Sequence, residues 1–418
     1  MRAAVLVTGD EILRGAIQER NAGILCRSLE PRGVAVERIE MVGDGLPAIG
    51  GALERLLAAR VDLVCVTGGL GPTHDDLTME AVARVTGRPL RLDEEALAMV
   101  RAHSLAVTRR PGVQRAIQEK QAMIPEGARV LPPPGTAPGC ALVHEGTVIV
   151  VLPGPPWELA RMWDEALPRE PVAGLLARAE VPDERVLRLW AVPESRLVAA
   201  LEGFDPDAWG RLRVGICARV AELEVTVRAR PGDGWAADAL EARIDDGLPG
   251  ALFSHDGRTV DDVVAEALVA AGMTVAVAES CTGGLLGARL TERPGSSAYV
   301  LGGLITYSDD AKVALLGVDR EIIRSRGAVS AECAEAMARG ARAALGSDWA
   351  LSVTGIAGPG GGTAEKPVGL VYIGIAGPGG AVGHVEHRRG GDRQTIRERS
   401  VAAALHLLRR SLAAGAPV

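Results

Sequence analysis

Carboxylates and glycines follow predicted strands in the first part of the chain. They occupy residues 8–11, 43–45 and 67–76, and the last of these segments reads TGGLGPTHDD. Glycine amides at the end of a strand can bind an anion closely, and carboxylate oxygens suit Mg²⁺ or a similar hard cation. The carboxylates concerned are Asp10, Glu11, Asp44, Asp75 and Asp76. A phosphate cradle beside a cation predicts phosphoryl or pyrophosphate chemistry, although a single glycine turn or Asp pair is often only a helix cap.

A serine and a lysine later in the chain have the spacing of a nucleophile and its base. Ser280 follows the predicted strand 274–278 and precedes the turn CTGG, whose amides can stabilise an oxyanion. Lys312 lies beyond the end of the next predicted strand, 299–306, so the two side chains can meet across neighbouring strand ends. Only three residues of the chain are lysine, and lysine, unlike arginine, can act as a base.

Simpler interpretations of these residues stay open at this point. Ser280 can be a helix cap and Lys312 a solvated helix residue. Cys281 is a rival nucleophile, but it has no histidine partner in its motif. The chain has no Gly-Lys-Ser/Thr sequence, so a Walker-type nucleotidase is not supported.

The alternation of apolar runs with helical patterns predicts the elements that position these residues. Strands are predicted at residues 2–8, 34–42, 61–67 and 148–152, with helices at 17–29 and 47–59 between them. This alternation is typical of a parallel sheet wrapped by helices, with the site at the carboxyl ends of the strands. We predict an α/β first domain at 1–170, a small α+β module at 171–257 and a second α/β domain at 258–418.

The composition indicates a globular, cytoplasmic protein. The 418 residues include 46 Lys and Arg and 53 Asp and Glu, a net charge of −7 that gives no support to a nucleic-acid-coating protein. No apolar run is long enough to span a membrane, and the predicted first strand leaves no room for a signal peptide. The six cysteines are scattered without a Cys-x-x-Cys pair, which is typical of a reducing compartment.

Several motifs resemble those of the competence/damage-inducible CinA family. The segment TGGLGPTHDD, together with Asn21, GTAPG at 135–139 and PGPPW at 153–157, resembles the family's molybdopterin-binding-like domain. The segments AESCTGG at 278–284 and TGIAGP at 354–359 resemble its carboxy-terminal domain. The resemblance implies a three-layer first domain, a KH-like α+β middle module and an α/β deamidase domain. It also implies two activities in pyridine-nucleotide salvage: ADP-ribose pyrophosphatase in the first domain and nicotinamide mononucleotide (NMN) deamidase in the last.

The resemblance extends to site residues and partners. For the first site we expect a divalent metal ion (Mg, Mn or Co), Asp76 in catalysis, and metal ligation by Asp44, Asp75 and Asp76. Expected substrate contacts there are Thr8, Glu11, Asn21, Gly68, Gly69, Gly71, Thr73, Gly135 and Thr136. For the deamidase, which needs no cofactor, we expect catalysis by Ser280, Lys312 and Tyr307, and substrate contacts from Ser297, Thr354, Gly355 and Arg393. The expected partners are NMN, ADP-ribose and a second copy of the chain, with neither a membrane nor a nucleic acid.

Two other functions compete with this interpretation. The first domain can be a pterin-binding or molybdenum-cofactor module, because its fold family does that chemistry. The chain can also be a non-catalytic scaffold in DNA uptake that uses its middle module on nucleic acid. The arginines of that module are balanced by several acids, which gives no support to binding of a nucleic-acid backbone; they are Arg211, Arg213, Arg219, Arg228 and Arg230. Incubation with NMN and with ADP-ribose separates the functions, since the scaffold predicts turnover of neither.

Overall fold

The computed structural model describes residues 1–103 and 111–418, which form two compact units. The first unit contains Met1–Asp183 and Arg230–Gly232, and the second contains Glu184–Ala229 and Asp233–Val418. Most of the predicted middle module therefore belongs to the same compact unit as the last domain. In the described residues, no helix combines the length and the apolar character needed to cross a membrane.

The first unit is built around a six-stranded sheet in the order β2-β1-β3-β8-β7-β6. The strands are β1 (Arg2–Thr8), β2 (Ala35–Val42), β3 (Leu63–Thr67), β4 (Leu90–Leu92), β5 (Met123–Pro125), β6 (Arg129–Leu131), β7 (Gly139–His144) and β8 (Thr147–Leu152). The helices are α1 (Asp10–Leu13), α2 (Asn21–Leu29), α3 (Leu46–Ala58), α4 (Thr78–Val85), α5 (Glu94–His103), α6 (Pro111–Gln121), α7 (Pro156–Ala166) and α8 (Val172–Leu176).

Helices cover both faces of this sheet, which confirms the predicted three-layer α/β fold. Alternate residues of β1 enter opposite cores: Ala4 and Leu6 pack with α3 and α4, whereas Val5 and Val7 pack with α2 and α7. Burial of both faces explains why the strands are continuous apolar runs rather than alternating ones. The carboxyl ends of β1 and β3 consequently meet at one edge of the sheet, where the polar segments of the sequence follow.

The four predicted strands form the parallel part of this sheet, and two strands that were not predicted extend it in antiparallel fashion. β2, β1, β3 and β8 are parallel, but β7 and β6 run antiparallel to their neighbours. Between β7 and β8, Glu145 and Gly146 form a two-residue turn with φ of 46° and 88°. Two successive positive φ values match the twist of a tight hairpin, so the chain reverses there instead of crossing over.

The second unit holds a four-stranded sheet, β10-β11-β9-β12, and a five-stranded sheet, β14-β13-β15-β16-β17. The strands are β9 (Asp183–Trp190), β10 (Leu212–Arg219), β11 (Glu222–Ala229), β12 (Leu252–Ser254), β13 (Val275–Glu279), β14 (Val300–Ile305), β15 (Trp349–Gly355), β16 (Leu370–Ala376) and β17 (Val382–Arg388). The helices are α9 (Glu194–Ala200), α10 (Pro206–Gly210), α11 (Gly234–Gly247), α12 (Val260–Ala271), α13 (Leu285–Thr291), α14 (Asp309–Leu316), α15 (Arg320–Arg326), α16 (Ala331–Leu345) and α17 (Arg393–Ala414).

The central strand β13 places its side chains alternately in two cores. Val275 and Val277 pack with α12, α13 and α17, whereas Ala276 and Ala278 pack with α14 and α16. β13 is parallel to β14 and β15, while β16 is antiparallel to both of its neighbours, β15 and β17. The carboxyl ends of β13, β14 and β15 therefore lie at one edge of the sheet, with Ser280 directly after β13.

Candidate active sites

The first candidate site is a cavity of about 360 Å³ at the carboxyl ends of β1 and β3. Most of the predicted first-site residues line it: Thr8, Glu11, Asn21, Asp44, Gly68, Gly69, Asp75 and Asp76. Four predicted contacts are not among its lining residues. Gly71 and Thr73 lie in the same loop after β3, and Gly135 and Thr136 lie in the loop between β6 and β7.

Gly68 shows why the loop after β3 needs glycine. Its φ is 103°, a conformation that side chains rarely adopt. A Cβ at this position would lie 2.5 Å from the carbonyl oxygen of Thr8. The hydroxyl of Thr78 donates to the Gly68 carbonyl oxygen at 2.7 Å and holds the turn against the start of α4. The turn thus brings its backbone against the end of β1, at the wall of the cavity.

Asn21 joins three segments around this cavity. Its Nδ2 donates to Thr67 Oγ1 at 2.9 Å and to the Gly154 carbonyl oxygen at 2.7 Å, and Thr67 Oγ1 donates to the Pro153 carbonyl oxygen at 2.7 Å. Its Oδ1 is buried and has no hydrogen-bond partner in the described part of the chain. A buried acceptor without a partner is costly, so this oxygen is suited to a donor group of a ligand.

The carboxylates of the first site accept hydrogen bonds from nearby backbone amides and from one hydroxyl. Thr73 donates to Asp76 Oδ2 from its amide at 2.8 Å and from its hydroxyl at 2.6 Å. The Thr73 hydroxyl also bonds Asp75, and this hydrogen bond holds the pKa of Asp75 below its usual range. Asp44 accepts from the Asp10 amide at 2.9 Å, and burial raises the pKa of Asp44. The two ends of the site therefore differ in electrostatics, with Asp75 the more readily ionised.

These oxygens suit a hard divalent cation by their chemistry but do not form a finished metal centre. Among the described residues, no three His, Cys, Asp or Glu side chains are grouped to hold a metal ion. Mg²⁺ commonly takes only one or two protein carboxylates and completes its shell with water and substrate phosphates. The residues thus fit a cation that shares its ligands with a bound diphosphate. The assignment to Asp44, Asp75 and Asp76 stays a prediction.

The second candidate site is a cavity of about 290 Å³ in the second unit. The structure brings together most of the residues predicted for it: Ser280, Tyr307, Lys312, Thr354, Gly355 and Arg393 all line the cavity. They come from the ends of β13, β14 and β15 and from the starts of α14 and α17. The site is therefore assembled across neighbouring strand ends, as the spacing predicts.

Ser280 and Lys312 are close to each other and mostly buried. Lys312 Nζ lies 3.3 Å from Ser280 Oγ, and Lys312 is 1% exposed. Nζ also donates to the carbonyl oxygens of Thr306 and Tyr307 at 3.1 and 3.2 Å, and an Asp309 carboxylate oxygen is 3.8 Å away. The simpler interpretation of a helix cap and a solvated lysine does not fit, because the residue that precedes α13 is Gly284 and Lys312 is enclosed.

Arg393 and Tyr307 form the exposed side of this site. Arg393 donates to the Tyr307 hydroxyl at 3.2 Å and to the Gly358 carbonyl oxygen at 2.8 Å. Tyr307 is 62% exposed, so a ligand can reach the pair. Thr354 is buried, and its hydroxyl donates to the Ala328 carbonyl oxygen at 2.7 Å. The hydroxyl proton of Thr354 is thus already used in a hydrogen bond within the protein.

Two residues differ in role from what their motifs suggest. Ser297 is exposed and lies just before β14, whereas Ser280 lies after β13. Because β13 and β14 are parallel, these serines are at opposite edges of the sheet, and this chain does not bring Ser297 to the site. Cys281 lines the cavity, but burial raises the pKa of its thiol to about 11. A protonated thiol is a poor nucleophile, which favours Ser280.

Glu279 and Arg397 are polar contributors that sequence reasoning missed. Glu279 is 1% exposed and accepts hydrogen bonds from backbone amides in the segment after Ser280. Arg397, one turn after Arg393 on α17, donates to the Thr282 carbonyl oxygen at 2.6 Å. The sequence signal for Glu279 was a single acid at the end of an otherwise apolar strand.

Comparison with known proteins gives matches along nearly the whole chain. Residues 4–171 match the family model described as a probable molybdopterin binding domain, and residues 257–412 match the CinA C-terminal domain. A CinA-like protein of Mycolicibacterium vanbaalenii is 45% identical over 421 residues, 99% of each chain. A CinA-like protein of Mycobacterium tuberculosis is 41% identical over 427 residues, 98% of this chain and 97% of the other.

A solved structure that is similar to this chain covers part of it. The crystal structure of the competence/damage inducible protein CihA from Agrobacterium tumefaciens is 44% identical, with a TM-score of 0.36. The match covers 37% of this chain and 95% of that one. With full-length relatives above 40% identity and both domain models matched in order, this chain belongs to the CinA family.

Proposed function

We propose that the second unit is an amidase that hydrolyses the carboxamide of NMN to nicotinate mononucleotide and ammonia. The observation that carries the proposal is the enclosed pair of Ser280 and Lys312, with 3.3 Å between Oγ and Nζ. Amide hydrolysis needs a nucleophile, a base and donors for an oxyanion. The pair supplies the first two, and the adjacent turn supplies backbone amides.

The contacts of Lys312 give a geometry in which the neutral amine can act as a base. A neutral amine has two N–H donors and one lone pair. If the N–H bonds point to the carbonyl oxygens of Thr306 and Tyr307, the lone pair is directed to the hydroxyl of Ser280. Lys312 then takes the hydroxyl proton as Oγ attacks the carboxamide carbon, and the carboxylate of Asp309 stabilises the ammonium that forms.

The remaining steps return the enzyme to its starting state. The tetrahedral oxyanion needs donors, and our candidates are the amides of Cys281 and Thr282, which donate no backbone hydrogen bond in the described part of the chain. Lys312 gives its proton to the leaving nitrogen, so that ammonia departs and Ser280 carries the acyl group. Water then attacks this ester with Lys312 as base, and Lys312 returns the proton to Ser280 Oγ as the acyl–oxygen bond breaks and the acid is released.

Arg393 is our candidate for binding the nucleotide phosphate. It lies at the start of α17, lines the cavity and is exposed to a ligand. Its guanidinium can bind phosphate oxygens at two points, and the glycines at 358, 360 and 361 let a ligand approach the backbone. The phosphate would then be held at the open side of the cavity, away from the enclosed serine.

The proposal is tested by incubating the full-length protein with NMN and identifying the products by mass spectrometry. We expect nicotinate mononucleotide and one ammonia per substrate. Ser280→Ala should lower turnover by several orders of magnitude. The matched control is Ser308→Ala, which removes a serine that caps α14 through a bond to the Ala311 amide at 3.1 Å. Undiminished ammonia release by a folded Ser280→Ala protein would refute the proposal.

For the first unit we propose hydrolysis of ADP-ribose to AMP and ribose 5-phosphate. The carrying observation is a cavity that combines carboxylates with the glycine turn at Gly68 and Gly69. The glycine amides would bind phosphate oxygens, and Asn21 Oδ1 would accept from a hydroxyl or amine of the substrate. Asp44, Asp75 and Asp76 would hold a divalent cation. Such a cation, when bound, neutralises the diphosphate charge and activates water.

Asp76→Ala tests this assignment. It removes a carboxylate that lines the cavity and accepts hydrogen bonds from the amide and the hydroxyl of Thr73. We expect loss of ADP-ribose hydrolysis with NMN turnover near the wild-type rate, since the proposed amidase residues lie in the other unit. Full pyrophosphatase activity in a folded Asp76→Ala protein would contradict the site.

The match of residues 4–171 to the molybdopterin-binding model favours a second candidate, binding of a pterin in the same cavity. The two functions differ in a simple measurement. A pterin-binding module should bind molybdopterin and leave ADP-ribose intact, whereas the proposed hydrolase should release AMP in the presence of Mg²⁺, Mn²⁺ or Co²⁺.

A further inference from the structure

Glu279 is a buried carboxylate beside Ser280 that the proposed mechanism does not use. It is 1% exposed, and its carboxylate accepts three backbone hydrogen bonds. The donors are the amides of Gly284 at 3.0 Å, Leu286 at 3.0 Å and Gly287 at 2.8 Å. Hydrogen bonds to an ionised acceptor are stronger than neutral ones. The carboxylate thus binds the start of α13 firmly.

The geometry of β13 keeps Glu279 away from the reacting atoms. Successive residues of a strand point to opposite faces of its sheet. Val277 faces the core made with α13, and Ala278 faces the core made with α14 and α16. Glu279 shares the α13 side, where its hydrogen bonds lie, and Ser280 shares the α14 side, where Lys312 lies. Glu279 therefore acts on Ser280 only through the backbone.

The backbone in question is the turn at residues 280–284. Its first end is fixed, because the Ser280 amide donates to the Val353 carbonyl oxygen at 2.9 Å. Its other end is the glycine pair Gly283 and Gly284, with φ of 58° and 95°. Glycine has the greatest backbone freedom, so a hydrogen bond from outside the turn is needed to fix this end. The hydrogen bond from the Gly284 amide to the Glu279 carboxylate is of this kind.

We propose that Glu279 is a positioning residue that holds the Ser280 turn, and with it the Cys281 and Thr282 amides, in the geometry for attack. This inference rests on the amidase proposed for the second unit. It assigns the acid a function in the rate of the chemical step rather than in substrate binding or proton transfer. A misplacement of about 1 Å can lower a rate about 10²-fold.

The test compares Glu279→Gln with Asp348→Asn in the full-length protein. Glutamine keeps the length of the side chain but replaces an acceptor by a donor that opposes the amides. Asp348 is the matched control, since its carboxylate caps the amino end of β13 through the Thr274 amide and hydroxyl, both at 2.8 Å. We measure kcat and its pH profile, Kd for NMN, and the rate at which a fluorophosphonate labels Ser280.

The positioning role predicts a specific pattern for Glu279→Gln. We expect kcat and the labelling rate to fall about 10²-fold, with Kd and the shape of the pH profile unchanged, and we expect Asp348→Asn to keep wild-type kcat. A folded Glu279→Gln protein with wild-type kcat and labelling would overturn the inference, as would equal losses in both variants. If Glu279→Gln does not fold, Glu279→Asp, which keeps the charge but is one methylene shorter, decides by the same measurements.

Failure of the amidase proposal would be recognised separately. In that case the wild-type protein would not hydrolyse NMN. A fluorophosphonate reacts with a base-activated serine whatever the natural substrate is, so the labelling rate of Ser280 would still report on the turn if NMN were not the substrate.

Discussion

Replacing Lys312 by Arg tests the proposed base while keeping a positive charge. Lys312 Nζ has three partners within hydrogen-bond distance, namely Ser280 Oγ and the carbonyl oxygens of Thr306 and Tyr307. An arginine can still donate to the carbonyl oxygens. It cannot be deprotonated at any working pH, so it has no lone pair for the hydroxyl proton.

The size of the effect follows from the contribution of a positioned base. General-base catalysis supplies about 10²- to 10⁴-fold in rate, which corresponds to about 2.7–5.4 kcal/mol in the activation barrier. In Lys312→Arg the guanidinium would occupy the position beside Ser280 Oγ, so water could not take the place of the base there. We therefore expect kcat of Lys312→Arg to be lower than that of the wild type by a factor near the upper end of this range. KM should change little, since Lys312 does not bind the phosphate.

The assay is initial-rate ammonia release at saturating NMN, with the melting temperature measured to verify folding. Lys366→Arg is the matched control, because Lys366 Nζ also donates to two carbonyl oxygens, of Arg326 at 2.6 Å and Val329 at 2.7 Å. Lys312→Met, similar in length and uncharged, separates loss of the base from poor accommodation of a guanidinium. If Lys312→Arg releases ammonia within tenfold of Lys366→Arg, the Ser–Lys mechanism is wrong.

Three further predictions concern binding, backbone geometry and pH. Arg393→Ala should raise KM for NMN at least tenfold, because it removes the proposed phosphate contact, and steady-state kinetics with nicotinamide riboside as a phosphate-free control measures this. Gly68→Ala should destabilise the first unit by more than about 1 kcal/mol, since its Cβ would lie 2.5 Å from the Thr8 carbonyl oxygen; urea unfolding and loss of ADP-ribose turnover report it. Burial lowers the pKa of His406, which is hydrogen-bonded to Glu222 at 2.7 Å, to about 4. As the pH falls from 6.5 towards 4, this histidine therefore becomes protonated in the unfolded chain before it does in the folded one. The free energy of unfolding should decrease by about 3 kcal/mol over this range. Urea titrations should show a smaller decrease for His406→Gln.

Local pattern was sufficient for the strands that carry the sites. β1 was predicted at its observed bounds, because a strand buried on both faces needs an unbroken apolar run. The placement of Ser280 and Lys312 also followed from sequence, since residues that follow neighbouring parallel strands must meet at one edge. The antiparallel β7 was not predicted, because strand direction depends on how the chain turns and an apolar run is the same in either direction.

Contacts between distant segments needed the tertiary structure. Ser297 has a plausible residue type near a strand, but the parallel register places it at the edge opposite Ser280. Asn21 and Gly154 are far apart in the chain and meet only when α2 and the loop after β8 pack over β3. Burial is equally a property of the folded chain, so the raised pKa of Cys281 had no signal in its motif.

Glu279 shows most clearly what the sequence determines and what the tertiary structure determines. The sequence by itself determined that an acid precedes the serine at the end of a buried strand. Its chemistry depends on whether that carboxylate faces the lysine or the helix that follows, and strand alternation with the packing of α13 decided for the helix. A one-residue change in register reverses the face of every side chain. Residue type and order thus predicted which groups are available, and only the packed structure decided which of them touch.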